Sequence, residues 1–263
     1  MSLVVLAAEG EGYSSPGAED FKLPPLIDGI EWFTKPYLLA FLSVLVLVAF
    51  FYAAARKPAL VPSRLQFAGE GIYGFVRRDL ARDILGTEHF LKFLPLIFSM
   101  FIFVAINNVF GIIPLIQFPT MSLIGFPIAL TLIVWLTYLY VGIKTKGPIG
   151  YFKQEMFPPG VPWPVYFILS PIELAKVLLV QPLTMSLRLF ANMFAGHLLL
   201  LVFILGGEYM LLHGGAFVQV LSIGAFAMGI AMTFFELLVQ LLQAYIFALL
   251  TALYLAGSLS EEH

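Results

Sequence analysis

The sequence contains no cysteine and very little charge. Zero Cys in 263 residues excludes disulfide scaffolds, thiol nucleophiles, Cys-ligated zinc and iron–sulfur clusters. Charged residues make up only 11%, whereas a soluble protein has roughly 25%. A chain with so few charges cannot cover a soluble core with polar surface. Nothing in the sequence predicts a cofactor, a bound metal or a nucleic-acid partner.

Apolar residues take the place of the missing charges. They make up 60% of the chain, and the mean hydropathy is +0.96. This composition predicts an all-α integral membrane protein that contacts the lipid bilayer. We expect one membrane domain at residues 36–257, an extracytoplasmic segment at 1–35 and a cytoplasmic tail at 258–263.

Charge-free runs predict the membrane helices, because a bilayer core needs about 20 apolar residues per helix. Residues 93–143 are too long for one span, and Pro114 and Pro119 predict a break between two. The last two apolar segments are about twice the required length. Each could be two spans, but turn residues are scarce at their midpoints, which favours long tilted helices held by a partner surface. The predicted helices are about 36–55, 93–115, 121–143, 165–205 and 217–257.

Residues 63–85 have a different pattern, with apolar and charged residues on opposite sides of a helix. We interpret this segment as an amphipathic interfacial helix on the cytoplasmic face, most simply a lipid anchor. A docking surface for a stalk protein is the alternative. The apolar side carries Ile72, Phe75, Val76, Leu80 and Ile84.

Lys and Arg predict the orientation, because they accumulate in cytoplasmic loops. They are concentrated at 56–92 and again at 144–153, while the loops at 116–120 and 206–216 contain none. The regions 56–92 and 144–164 are therefore predicted to be cytoplasmic, with the N-terminus outside and the C-terminus inside.

Arg188 is the most informative polar residue in the apolar segments. A central Arg costs about 2.5–3.5 kcal/mol on insertion scales, and its guanidinium does not deprotonate in proteins. No acidic residue lies within ten positions, and Asn192 at i+4 is neutral. The counter-charge is therefore expected from elsewhere, including another chain, and intramembrane ionisable residues are functional by default.

His197, on the same segment, faces away from Arg188 and is about 13 Å further along the helix axis. Glu236 stands in the last segment, with Gln240 and Gln243 on its face at i+4 and i+7. This stripe is typical of the wall of a water-filled cavity. Glu236 and His197 could form a proton relay or a structural pair, and the relay is favoured.

The other polar residues of the apolar segments have simpler structural interpretations. Glu173 and Lys176, at i and i+3, predict a local ion pair, although Glu173 could instead line a cytoplasmic opening. Asn107 and Asn108 favour interhelical hydrogen bonds over chemistry. Titratable groups toward both sides, divided by a permanent cation, indicate two half-pathways without a through-pore.

Three stretches resemble the subunit a family of the F-type ATP synthases. They are PLTMSLRLFANMFAGH at 182–197, QAYIFALLTALYL at 243–255 and NVFGIIP at 108–114. The resemblance covers about residues 30–257. It implies that Arg188 is the stator arginine, that Asn192 and Gln243 lie near it, and that His197 and Glu236 line the outer half-channel. Some members have Asp where this chain has Gly111, so the resemblance gives Gly111 no proton role.

The family also implies partners for the chain. These are the c-ring, against which the two long helices would tilt, the peripheral-stalk b subunits, and indirectly the catalytic head. The predicted function is the proton-translocating stator subunit of a rotary ATP synthase, with no bond chemistry of its own, in a bacterial inner membrane. A secondary transporter would predict inverted repeats, which we do not find. A non-transporting scaffold would tolerate apolar residues at Arg188, His197 and Glu236.

Overall fold

The computed structural model describes residues 15–21, 23–26, 33–56, 61–113, 116–157 and 162–260. Within this part, five helical stretches are long and apolar enough to cross a membrane, in agreement with the predicted all-α membrane fold. They are Lys35–Ala55, Arg64–Val109, Gly125–Lys146, Trp163–His213 and Ala216–Leu259. Most of the predicted N-terminal segment 1–35 and the end of the predicted tail 258–263 lie outside the described residues.

The helices are numbered in chain order, and two of the five stretches are interrupted. The second contains a π-helical turn, Val76–Arg82, and the fourth contains another, Lys176–Val180. The α-helices are α1 Lys35–Ala55, α2 Arg64–Phe75, α3 Asp83–Val109, α4 Gly125–Lys146, α5 Pro148–Met156, α6 Tyr166–Ala175, α7 Gln181–His213 and α8 Ala216–Leu259.

Two predicted breaks differ from the observed ones. The helix predicted to end near residue 205 continues to His213, because Gly207 packs closely against Ala225 and Phe226 of α8. Tertiary packing there outweighs the roughly 1 kcal/mol helix penalty of a glycine. The helices predicted at 93–115 and 121–143 are separated further, since α3 ends at Val109 and α4 begins at Gly125.

The loop between α3 and α4 is folded into the protein. Phe118, Thr120 and Met121 are buried, and the loop contacts both α3 and α7. Gly111 permits the turn, because a Cβ there would come within 2.9 Å of the Pro119 side chain. The chain therefore leaves the helix several residues before Pro114, where the sequence predicts the break.

The amphipathic segment 63–85 is helical, but part of its apolar side contacts protein rather than lipid. Val76 and Leu80 are fully buried in the main core, against α3 and α8. The arginines and aspartates of the segment are exposed, as predicted. Gly86, with φ 72° and ψ 177°, breaks the helical path between this segment and the membrane helix. The lipid-anchor interpretation is therefore wrong for the π-helical turn.

Helices α7 and α8 form a long antiparallel hairpin through Gly214 and Gly215. Helix α8 has 44 residues, so its length of about 66 Å is twice the hydrocarbon thickness. A helix of this length can stay within the bilayer only if it is strongly inclined, as the sequence predicts. Helices α3 and α4 pack against the hairpin, and the core lies between these four helices.

Candidate functional site

Arg188 lies on an exposed face of α7. Its neighbours on this face, one turn away in each direction, are Thr184 and Ala191, which are also exposed. The opposite face carries Met185 and Leu189, which are buried in the core. Among the described residues no acidic side chain forms an ion pair with Arg188. The guanidinium is thus presented outward, beside small side chains, without a counter-charge from its own chain.

An amide pair joins α7 to α8 close to Arg188. The Asn192 Nδ2 group donates a 2.8 Å hydrogen bond to the Gln243 side-chain oxygen. Asn192 is one turn from Arg188, about 6 Å along the axis. The pair joins the two long helices at the level of the arginine. The family resemblance implies that Asn192 and Gln243 lie near Arg188.

Glu236 lies about two turns before Gln243 on α8, in a closely packed polar cluster. It is only 4% exposed, and its Oε1 accepts a 3.0 Å hydrogen bond from the Gln240 side chain. The Asn108 side chain donates to the Gln240 backbone carbonyl over 3.2 Å, which joins α3 to α8. Glu236, Gln240 and Gln243 are therefore packed in the interior, whereas the sequence predicts the wall of an open water-filled cavity.

Gly196 brings the Glu236 carboxyl group up against α7. A Cβ at Gly196 would lie 3.5–3.6 Å from Cγ, Cδ and Oε1 of Glu236, which is van der Waals contact distance. The carboxyl group therefore packs next to the backbone of Gly196. His197 is the next residue, and it is 3% exposed. The structure therefore places Glu236 beside the His197 backbone without a direct hydrogen bond between the two side chains in the described part.

His197 is covered by an aromatic cluster that includes the N-terminal segment. Phe21 is 5% exposed, and its ring centroid is 4.7 Å from that of Phe194 and 5.8 Å from the imidazole. Phe118, from the α3–α4 loop, meets the Phe21 ring edge-on at 6.3 Å. Arg188 is exposed while His197 is buried, so the two residues lie on different faces of α7, as the helical spacing predicts.

Several polar atoms in this region have no partner within the described chain. They are Glu236 Oε2, Gln240 Oε1, His197 Nδ1 and Asn108 Oδ1. A buried polar atom without a partner costs about 1–3 kcal/mol, so its retention points to a role other than stability. Free donors and acceptors beside a carboxyl group are what a proton path requires.

A second polar region lies at the other end of the α7–α8 hairpin. A cavity of about 150 Å³ is lined by Gln181 of α7 and Tyr254 of α8, together with Tyr138, Tyr151, Glu155 and Lys176. Gln181 precedes Arg188 by two turns and shares its face to within about 20°. The α7 residue that lines the cavity therefore lies on the same face of that helix as Arg188.

The π-helical turn before α7 explains how this cavity is built. The Gln181 N–H bonds to the Lys176 carbonyl, and Pro182 has no N–H to donate, so the Val177 carbonyl has no donor from its own helix. It accepts instead from the Trp135 indole at 3.1 Å and from the Tyr138 hydroxyl at 3.2 Å. The Tyr138 hydroxyl also lies 3.1 Å from Gln181 Oε1, which fixes it at the cavity wall.

Helix α5 closes the cavity from outside the membrane helices. Gly147, with φ 74°, turns the chain after α4, and Pro148 begins α5. The Tyr151 ring is buried directly against Gly142, where any Cβ would collide with it. Burial, together with the nearby Glu155 carboxylate, raises the pKa of Tyr151 to about 12, so Tyr151 stays protonated at neutral pH.

Glu173 forms an ion pair with Lys176 across the α6–π junction, which confirms the local pair that the spacing predicts. Lys176 lines the cavity, whereas Glu173 is not one of its lining residues. The sequence predicts an opening at Glu173, but it does not point to the residues that line the cavity, among them Tyr138, Gln181, Tyr254 and Glu155. Only Gln181 had a signal, its position two turns before Arg188.

The two asparagines of α3 make interhelical hydrogen bonds, as predicted. Asn107 donates to Ser43 of α1 over 2.8 Å, and Asn108 donates to α8. Within the described residues, no three His, Asp or Glu side chains are grouped as a metal site would require. Both asparagines thus join helices by hydrogen bonds.

The chain matches a known family model over nearly all of its membrane region. The model is that of the ATP synthase A chain, and residues 37–256 match it. The chain belongs to this family. It is 47% identical to ATP synthase subunit a of Nocardioides sp., over 99% of this chain and 98% of that protein. It is 44% identical to ATP synthase subunit a of Pseudarthrobacter chlorophenolicus, over 100% and 99% of the two chains.

A more distant relative shows the same relationship. ATP synthase subunit a of Streptomyces lividans is 41% identical over 97% of this chain and 91% of that protein. The resemblance found at residues 108–114, 182–197 and 243–255 is thereby confirmed, as is the prediction of a multi-pass membrane protein.

Proposed function

We propose that the chain is the proton-translocating stator subunit of a rotary ATP synthase, and that Arg188 separates two half-channels that end at a ring of c subunits. The observation that supports this most directly is the placement of Arg188. It is exposed, has no ion pair within the described chain, and lies between the Glu236 cluster and the Gln181 cavity along α7. The chain forms no covalent bond itself; it guides protons.

The partner facing Arg188 is a helix that carries a carboxylate. A charge inside a membrane costs about 2.5–3.5 kcal/mol on insertion scales, and a counter-charge on a neighbouring chain offsets that cost. Thr184, Ala191 and Ala195 lie on the same exposed face, and small residues allow helices to approach closely. The length of α7 and α8 also requires a surface that holds them inclined, and the c-ring supplies it.

The outer half-channel contains His197, Glu236, Gln240, Gln243 and Asn192. Their buried oxygen and nitrogen atoms without partners offer sites along which a proton moves from the outer surface to the c-ring. The inner half-channel is the cavity at Gln181 and Tyr254, with the Glu173–Lys176 pair beside its mouth. The positive charge of Arg188 repels protons between the two and favours the ionised form of the passing carboxylate.

The chain lies in the bacterial plasma membrane with its N-terminus outside and its C-terminus in the cytoplasm. The exposed loops with Lys and Arg support this orientation. The peripheral-stalk b subunits and lipid cover the exposed apolar side of α1, which includes Phe41, Val48 and Tyr52. The catalytic head is reached only through the stalk and the rotor.

Cross-linking in the assembled complex tests the assigned c-ring face. Because the chain has no native cysteine, Ala191→Cys can be labelled with benzophenone maleimide in native membranes. We expect a photoproduct with a small, carboxylate-bearing two-helix subunit. Leu136→Cys on α4 is the control, since Leu136 is also exposed but lies on another helix. Equal yields from both positions, or no such product from Ala191→Cys, would contradict the assignment.

A further inference from the structure

The cavity at Gln181 contains a carboxylate that the proposed half-channels do not yet use. Glu155 is on the short helix α5, outside the five membrane-spanning stretches, and it lines the cavity together with Gln181 and Lys176. It follows Tyr151 by one turn, so both side chains lie on the same face of α5.

The position of Glu155 is determined by packing. Tyr151 is held against Gly142 of α4. The C-terminal end of α5 is held as well, since the Ser170 hydroxyl donates to the Met156 carbonyl over 2.9 Å, and Gln154 donates to the Ser260 carbonyl over 3.4 Å. Helix α5 is therefore a docked part of the fold, and its carboxylate is presented to the cavity from a defined direction.

The neighbours of Glu155 can pass a proton along hydrogen bonds, but the ones that line the cavity with it are hydroxyl, amide and ammonium groups. Tyr138 from α4 and Tyr254 from α8 line the cavity as hydroxyl groups, and Tyr151 stays protonated, as shown by its raised pKa. Lys176 of the π-helical turn is a cation paired with Glu173 of α6. Glu155 is the carboxylate lining this cavity, and carboxylates accept and release protons readily.

We propose that Glu155 is the proton acceptor at the cytoplasmic mouth of this cavity, an inference that rests on the proposed function. During ATP synthesis, a proton released near Arg188 passes the hydrogen-bonding groups of Gln181 and Tyr138 and binds a carboxylate oxygen of Glu155. The resulting carboxylic acid then gives the proton to bulk water, and the carboxylate is regenerated. No other bond is made or broken. Lys176, held by Glu173, attracts the anionic form of Glu155 toward the mouth.

The proposal is tested by removing the proton site and supplying it from outside. In inverted membrane vesicles, whose cytoplasmic face is accessible, Glu155→Gln should lower ATP-driven proton pumping and proton-driven ATP synthesis by about a hundredfold, the low end of losses when a proton-transfer group is removed. Glu155→Asp should recover most of the rate, because it keeps the carboxylate. Glu88→Gln, an exposed carboxylate on the same predicted side, is the matched control and should retain the normal rate.

Chemical rescue separates a proton acceptor from a structural residue. Formate or imidazole added at the cytoplasmic face should restore proton movement in Glu155→Gln severalfold, but the same buffer added on the opposite face should not. A normal rate in Glu155→Gln, or a loss that neither buffer nor Asp recovers in an assembled complex, would overturn the assignment. If the unmodified complex itself moves no protons, the proposed function fails instead.

Discussion

The Asn192 side chain donates a 2.8 Å hydrogen bond to Gln243, and this bond joins α7 to α8 one turn from Arg188. Gln243 is 2% exposed, so its side-chain oxygen would lose this partner without gaining water if Asn192 were removed. The bond therefore fixes the spacing of the two long helices where the arginine faces outward. It also marks the border between the Glu236 cluster and the Gln181 cavity.

This pairing predicts non-additive effects on proton-driven ATP synthesis. Asn192→Ala and Gln243→Ala should each reduce the rate, and the double variant should lose little more than the worse single variant. The coupling energy should fall in the range of about 0.5–3 kcal/mol that is typical of residues in contact. The control combines Asn192→Ala with Asn107→Ala, because Asn107 donates a hydrogen bond to Ser43 elsewhere in the protein. If the effects of Asn192→Ala and Gln243→Ala on the rate multiply, as those of Asn192→Ala and Asn107→Ala should, the hydrogen bond has no role in transport.

Glu236 should be required as a carboxylic acid group. We expect Glu236→Gln to lower proton flux by tenfold or more, because the amide cannot exchange a proton, while the complex still assembles. Glu236→Asp should retain a larger fraction of the flux. Glu208→Gln, a change of the same kind further along α7, provides the control. Normal flux in an assembled Glu236→Gln complex would show that the polar cluster is structural.

Phe21 should protect His197 from water-borne reagents. Removing its ring with Phe21→Ala opens the aromatic cover, so diethylpyrocarbonate should modify His197 about tenfold faster, since the imidazole changes from buried to exposed. Phe21→Leu should preserve much of the protection by filling the same space. Mass spectrometry can compare His197 with His213, an exposed histidine in the same chain. An unchanged ratio of the two modification rates would show that other residues cover His197.

Much of the helical architecture could be predicted, because a charge-free apolar run has few alternatives to a membrane helix. The ends of α3 and α7 could not, since they depend on Gly111 meeting Pro119 and on Gly207 meeting α8. The site divides in the same way. Arg188, His197 and Glu236 are conspicuous in sequence because they are polar within apolar runs.

The Gln181 cavity could not be predicted from the sequence, for a different physical reason. Tyr138 is one aromatic residue among several in an apolar helix and Glu155 is one charge in a polar loop, so neither stands out in the sequence, and only tertiary contacts bring them to one cavity. The π-helical turn at Lys176–Val180 adds to the difficulty, because the free Val177 carbonyl that anchors Tyr138 arises from Pro182 and a changed hydrogen-bond register. Such a register is not encoded by hydrophobic periodicity.

The orientation can be measured with single cysteines. Gly150, in α5, is exposed and should be labelled by an impermeant maleimide only from the cytoplasmic side. Gln117, in the α3–α4 loop, is exposed and should be labelled only from outside, whereas its neighbour Phe118 is 1% exposed and unsuitable as a site. Labelling of Gly150→Cys from outside in intact cells would reverse the predicted topology.

The central claim is that Arg188 couples proton movement to the rotor, and Arg188→Ala tests it most directly. ATP synthesis driven by an imposed proton gradient should be measured in membranes in which co-purification of the subunits confirms assembly. Arg188→Ala should abolish coupled synthesis while allowing passive proton leak, because the electrostatic barrier between the half-channels is gone. Arg188→Lys should also perform poorly, because a compact ammonium loses its proton more easily when desolvated. Near-normal coupled synthesis in a fully assembled Arg188→Ala complex would contradict the account.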